Sequence, residues 1–99
     1  MSVGGLSSPC YLVEWYRPAP SGAQLDHATA RIEASASALP AGNAHVRLLA
    51  IVAVPADEVV FGIFIADSES DVSEVCRQAD MAAQRVTAAV GFGGAADPQ

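Results

Sequence analysis

Two neighbouring segments of this chain, residues 48–55 and 59–66, are almost uninterrupted runs of apolar residues. A strand with one face in water alternates apolar and polar side chains, whereas these two segments are apolar at both alternating positions. Each has the length of a strand and is far shorter than the roughly 20 apolar residues that cross a membrane as a helix. Residues 55–58 between them, Pro-Ala-Asp-Glu, are typical of a short turn. The pattern therefore predicts a hairpin whose strands are buried on both faces.

The segment before this hairpin predicts a strand followed by a helix. Residues 10–17 are rich in aromatic and β-branched side chains, which suit a strand, and Pro18 and Pro20 end it. Residues 21–24, Ser-Gly-Ala-Gln, match a capping box, in which the serine and glutamine side chains bind backbone N–H groups of the first turn. We predict a helix from there to just before Pro40, because apolar residues recur at steps of three and four.

The segment after the hairpin predicts a helix followed by a strand. Asp67 or Ser68 can cap a second helix, and residues 85–92 then alternate with the period of a last strand. The apolar stripe predicted for this helix consists of Val72, Val75, Cys76, Ala79 and Ala82 or Ala83. On the strand before the turn, the alternation places Val46, Leu48, Ala50, Val52 and Val54 on one face.

The predicted order βαββαβ is that of a ferredoxin-like α+β fold. In this arrangement right-handed crossovers place two helices on one face of a four-stranded antiparallel sheet. We predict one such domain over residues 10–92, with flexible termini at residues 1–9 and 93–99, which are rich in Gly, Ala, Ser and Pro. Two helices cover only one sheet face, and a large bare apolar face is unusual in a monomer. We therefore expect a homodimer of the dimeric α+β barrel type, with the two sheets face to face.

Charge and cysteine content restrict the partners and the compartment. Eleven acidic residues against five basic ones, all arginine, give a net charge of −6, which repels nucleic acid. The N-terminal residues have neither the basic nor the apolar region of a secretory signal, so we expect a cytoplasmic protein with no membrane partner. Cys10 and Cys76 lack the spacing of a redox motif, and we expect both to be reduced.

Several segments resemble the DUF4242 family of small proteins. They are residues 11–14 (Tyr-Leu-Val-Glu), the turn at Asp57, the apolar run 61–66, and the positions Val72, Ala79 and Val86. The resemblance covers residues 10–92 and implies a ferredoxin-like dimer in a family that includes a nickel-binding member. Family members tend to carry polar residues in the second strand and a cysteine in the third. The corresponding positions here are Ile51, Val52, Ala53 and Gly62, which offer no side-chain metal ligands, so we predict no metal site by resemblance.

The candidate ligand-binding residues cluster on the first two strands. Glu14 and Tyr16 share one face of strand one, and Arg47 on strand two is a candidate ion-pair partner for Glu14. His45, at the start of strand two, and Trp15 complete the candidate set for a cavity between the sheets. His27 and His45 lack metal-binding spacing, and no phosphate-binding or serine-hydrolase motif occurs in the sequence.

Two functions fit these observations. The first is a binding or structural module that holds a small ligand or metal between the sheets of a homodimer. The alternative is a small cofactor-independent enzyme, similar to a monooxygenase or isomerase, that uses the same cavity; it rests on analogy of fold. The sequence does not identify catalytic residues or a cofactor.

Overall fold

The structure, a computed structural model, describes residues 9–18, 20–39 and 45–90. These residues form the predicted element order βαββαβ. The strands are β1 (Cys10–Tyr16), β2 (Val46–Val54), β3 (Val59–Ala66) and β4 (Arg85–Ala89), and the helices are α1 (Gly22–Ser37) and α2 (Glu69–Gln78). The predicted termini, apart from Pro9, and the predicted end of the last strand at Phe92 lie outside the described residues.

The four strands form one sheet in the order β2-β3-β1-β4, and every neighbouring pair is antiparallel. Because the two central strands are β1 and β3, each helix connects strands that are not neighbours in the sheet. This is the ferredoxin-like α+β arrangement predicted from the element order.

The hydrophobic core lies between the two helices and one face of the sheet. Its side chains include Val13, Trp15, Val60, Phe64 and Ala66 from the sheet, Ile32 from α1, and Val72, Val75 and Cys76 from α2. The buried hydroxyl of Ser35 on α1 donates a hydrogen bond to the Val75 carbonyl at 2.8 Å, which joins the two helices across this core. The apolar pattern predicts the core but not this polar link.

The predicted alternation along β2 is wrong after Leu48. Leu48 lies opposite Phe64 and Ala50 lies opposite Ile63, so Leu49 is an extra residue in a β-bulge. A bulge shifts the two-residue period by one position, which exchanges the faces beyond it. The residues on the helix side are therefore Val46, Leu48, Ile51 and Ala53, and those on the other side are Arg47, Ala50, Val52 and Val54.

Both helices begin at serine caps. Ser21 accepts a hydrogen bond from the backbone N–H of Gln24, whose side chain in turn accepts from the Ser21 N–H, so the predicted capping box is present. Of the two candidate caps for α2, Ser68 is the one used. α2 ends at Gln78, earlier than the predicted stripe, because the chain turns away at Asp80, which has a φ of 60°.

The second face of the sheet points away from both helices. We call this surface the open face; β1 and β3 supply Leu12, Glu14, Tyr16, Phe61, Ile63 and Ile65, β2 supplies Arg47, Ala50, Val52 and Val54, and β4 supplies Arg85 and Thr87. Most of these apolar side chains are half-buried by their neighbours in the sheet, while Val52 is 50% exposed. In the described part of the chain, no helix is long and apolar enough to cross a membrane.

Candidate functional site

The open face carries a polar cluster, built on β1 and β4. Glu14 and Tyr16 are two residues apart on β1 and therefore share a face. The Tyr16 hydroxyl donates a hydrogen bond to Oε1 of Glu14 at 2.9 Å, and Nε of Arg85 lies 3.8 Å from Oε2. Arg85 reaches Glu14 because the two residues are directly opposite each other in the β1–β4 register.

Glu14 is much less exposed than its two partners. Its side chain is 16% exposed, whereas that of Arg85 is 64% exposed and Tyr16 is 53% exposed. On the β3 side, Glu14 lies directly opposite Phe61, so an aromatic residue flanks the carboxylate. The carboxylate is thus held at the border between an apolar sheet face and a small polar edge.

The hydrogen bond to Glu14 raises the pKa of Tyr16 above its ordinary value, and loss of hydration and the negative charge of Glu14 act in the same direction. The phenol therefore keeps its proton throughout the neutral range. In this state Tyr16 donates to the carboxylate while its oxygen can still accept a hydrogen bond from a ligand. Together the three groups offer acceptors on Glu14 and donors on Arg85 within one small area.

Two of the residues predicted for this site lie elsewhere on the molecule. Arg47 is on the open face but sits opposite Ile65, and β3 separates its strand from β1. His45 is exposed just before β2, two residues from Arg47 along the chain. The expected partner of Glu14 is therefore wrong, and Arg85 takes that place. The alternating pattern placed Arg85 at the start of the last strand, but sequence alone does not give the register that sets it beside Glu14.

Trp15 also does not belong to the open face. Its side chain is completely buried on the helix side, where its Nε1–H donates to the Met81 carbonyl at 2.6 Å. Its ring meets that of Phe64 edge to face, with centroids 6.4 Å apart. Gly62 makes room for it, since a Cβ there would lie 2.9 Å from the indole. Trp15 is thus a core residue, and it contributes nothing to the Glu14 cluster.

The described residues contain no group of three or more His, Cys, Asp or Glu side chains placed to hold a metal ion. Both cysteines are free: Cys10 is half-buried at the start of β1, and Cys76 is buried in the core. Burial raises the pKa of the Cys76 thiol to about 12, so it stays protonated and is a poor nucleophile or ligand at neutral pH.

The sheet order and the placement of the helices define the chain as an α+β protein of ferredoxin-like topology. Comparison with protein-family models and with curated proteins finds no match. Among solved structures, the fold is similar to the crystal structure of SCO4226 from Streptomyces coelicolor A3(2), with a TM-score of 0.69 and 16% sequence identity. The match covers 79% of this chain and 91% of the other, and at this identity it shows the fold alone.

Proposed function

We propose that this protein is a cytoplasmic homodimer that binds a small organic ligand between its two sheets, beside Glu14. The observation that carries the proposal is the open face: an apolar sheet surface, turned away from both helices, with a mostly buried carboxylate set into it. A second copy of the same face is the simplest cover, since a two-fold axis pairs one surface with itself. The two free cysteines fit a reducing compartment.

The size of the open face supports a dimer. Four strands about 4.8 Å apart, with a rise of about 3.3 Å per residue, make a face of roughly 20 Å by 23 Å. This is enough for the centre of a standard interface, in which each partner buries about 800 Å² of accessible surface. Ile63 lies near the middle of the face, opposite Leu12 on one side and Ala50 on the other.

The Glu14 cluster supports a ligand site within that interface. Packing a second sheet over the cluster would remove Glu14 from water, which is costly unless hydrogen bonds or a partner charge compensate. Tyr16 and Arg85 provide part of this compensation. A ligand with an apolar body and hydrogen-bond donors would complete it, so we favour this chemistry over a metal such as the nickel bound by one member of the DUF4242 family.

Dimerisation is tested by sedimentation of the wild type at micromolar concentration. We expect a dimer for the wild type and a monomer for Ile63→Glu, which would place a new charge at the centre of the interface. Ala30→Glu, on the exposed surface of α1, adds the same charge elsewhere and should remain a dimer. A folded wild-type monomer under these conditions would refute the proposal.

Ligand binding is tested by a thermal-shift screen of small organic molecules and divalent metal ions, because a ligand that prefers the native state raises Tm. We expect organic hits whose shift is lost in Glu14→Gln, which keeps the shape of the side chain but removes its charge. Glu33→Gln, at an exposed position of α1, is the matched control and should keep the shift. Hits that carry no acidic group and shift Glu14→Gln as much as the wild type would contradict the assigned site, and a response to Ni²⁺ alone would favour the metal instead.

A further inference from the structure

A cavity of about 720 Å³ lies on the helix side of the sheet; Tyr16, at the end of β1, is among its lining residues, whereas Glu14 and Arg85 are not. It opens between the N-terminal half of α1 and the segment that follows β1, and Ile51 of β2 and Val60 of β3 form part of its wall. Ligand pockets usually measure about 300–1,000 Å³, so this cavity has the volume for a small organic molecule. It lies within a single protomer and does not depend on the proposed dimer.

The deep part of the cavity is apolar and held in place. Leu25 and Ala28 of α1 line it, together with Trp15 and Met81, whose side chains are buried from water. Two contacts hold the indole of Trp15 in place: its hydrogen bond to the Met81 carbonyl and its packing against Gly62. A rigid wall of this kind can bind an apolar group with little loss of side-chain entropy.

The rim of the cavity has the opposite charge to the molecule as a whole. The chain carries a net charge of −6, yet among the described residues that line this cavity none is an aspartate or glutamate. Two of the five arginines, Arg17 and Arg31, line it together with His27. In an acidic protein, two arginines beside one apolar cavity make it complementary to an organic anion.

The two arginines differ in how far they are already engaged. Arg31 donates to the carbonyls of Ala79 and Asp80, and its Nη2 lies 3.4 Å from the Asp80 carboxylate. Arg17 is exposed, and within residues 9–18, 20–39 and 45–90 it forms no ion pair with a carboxylate. Arg17 is thus the cation best placed to receive a ligand carboxylate.

We propose that this cavity binds a small organic monoanion, with an aryl or alkyl body against the apolar wall and its carboxylate paired with Arg17. The bidentate geometry of guanidinium and carboxylate suits this pairing. The role of Arg31 is structural, since its hydrogen bonds join α1 to the residues that follow α2.

The intrinsic fluorescence of the protein tests the proposal directly, because Trp15 is the sole tryptophan and lies in the cavity wall. Phenylbutyrate is titrated against the wild type, with the neutral isostere phenylbutyramide in parallel. We expect saturable fluorescence changes with the acid and binding at least about tenfold weaker with the amide, the effect of losing one charge-assisted pair. Equal affinities, or no saturable change with the acid, would overturn the proposal.

Variants then locate the site. Arg17→Gln should weaken phenylbutyrate binding about tenfold, whereas Arg77→Gln, which removes the same charge from the surface of α2, should not. Ala28→Leu should fill the cavity and abolish binding, and Ala30→Leu, on the exposed side of the same helix, should leave it intact. Circular dichroism verifies that each variant is folded. Wild-type affinity in Arg17→Gln would overturn the assignment even if Ala28→Leu failed to fold.

Discussion

At the scale of single residues, the position of Trp15 depends on Gly62, which has no side chain. A Cβ at residue 62 would lie 2.9 Å from two ring carbons of Trp15 and 3.0 Å from Cε1 of Phe64. Both rings are fully buried, so neither can move into solvent. The sequence shows a glycine within a strand, which is locally unfavourable, but only the fold reveals which ring it accommodates.

We expect Gly62→Ala to destabilise the protein by about 1–3 kcal/mol, because overpacking the core outweighs the gain of less than about 1 kcal/mol from replacing glycine. The displaced indole should also show altered fluorescence. Urea unfolding at a fixed protein concentration measures the change. Gly22→Ala is the control, since nothing lies within 4 Å of a Cβ added there. Wild-type stability in Gly62→Ala would show that the two rings can shift at little cost.

At the scale of elements, the sequence predicts where strands and helices occur better than how they pair. Strand and helix signals are local, and the capping box at Ser21 and the run 59–66 are both confirmed. Register is not local. The bulge at Leu49 reverses the faces of β2, and the β1–β4 register selects Arg85 as the partner of Glu14. The carboxylate of the candidate site was therefore predictable and its arginine was not.

The capping box gives a direct test at this scale. Ser21→Ala removes the acceptor for the Gln24 N–H and leaves that group without its side-chain partner. We expect a loss of about 1 kcal/mol in the free energy of unfolding, as for other serine caps. Ser37→Ala, the same substitution at the exposed end of α1, should be neutral or slightly stabilising. If the two variants unfold at the same urea concentration, the cap does not contribute to stability.

At the scale of the whole molecule, the unusual charge composition limits what can titrate at alkaline pH. All five basic residues are arginine, which stays charged, so no lysine loses its proton in this range. Among the side chains of the folded protein, the buried thiol of Cys76 stands out, because burial raises its pKa from 9.0 to about 12. The buried thiol therefore links stability to pH in the alkaline range, and Tyr16, whose pKa is also raised, acts in the same direction at higher pH.

We expect stability to fall as pH rises above 9, because the unfolded chain then releases the Cys76 proton while the folded protein retains it up to about pH 12. Below pH 9 the thiol is protonated in both states and its contribution is fully present. The free energy of unfolding should fall by about 1.4 kcal/mol in total between about pH 8 and about pH 10, measured by urea unfolding at one protein concentration. Cys76→Ala should flatten the slope at some cost in packing, and Cys10→Ala, which leaves the buried thiol in place, should retain it. Equal slopes in wild type and Cys76→Ala would mean that another group governs alkaline unfolding.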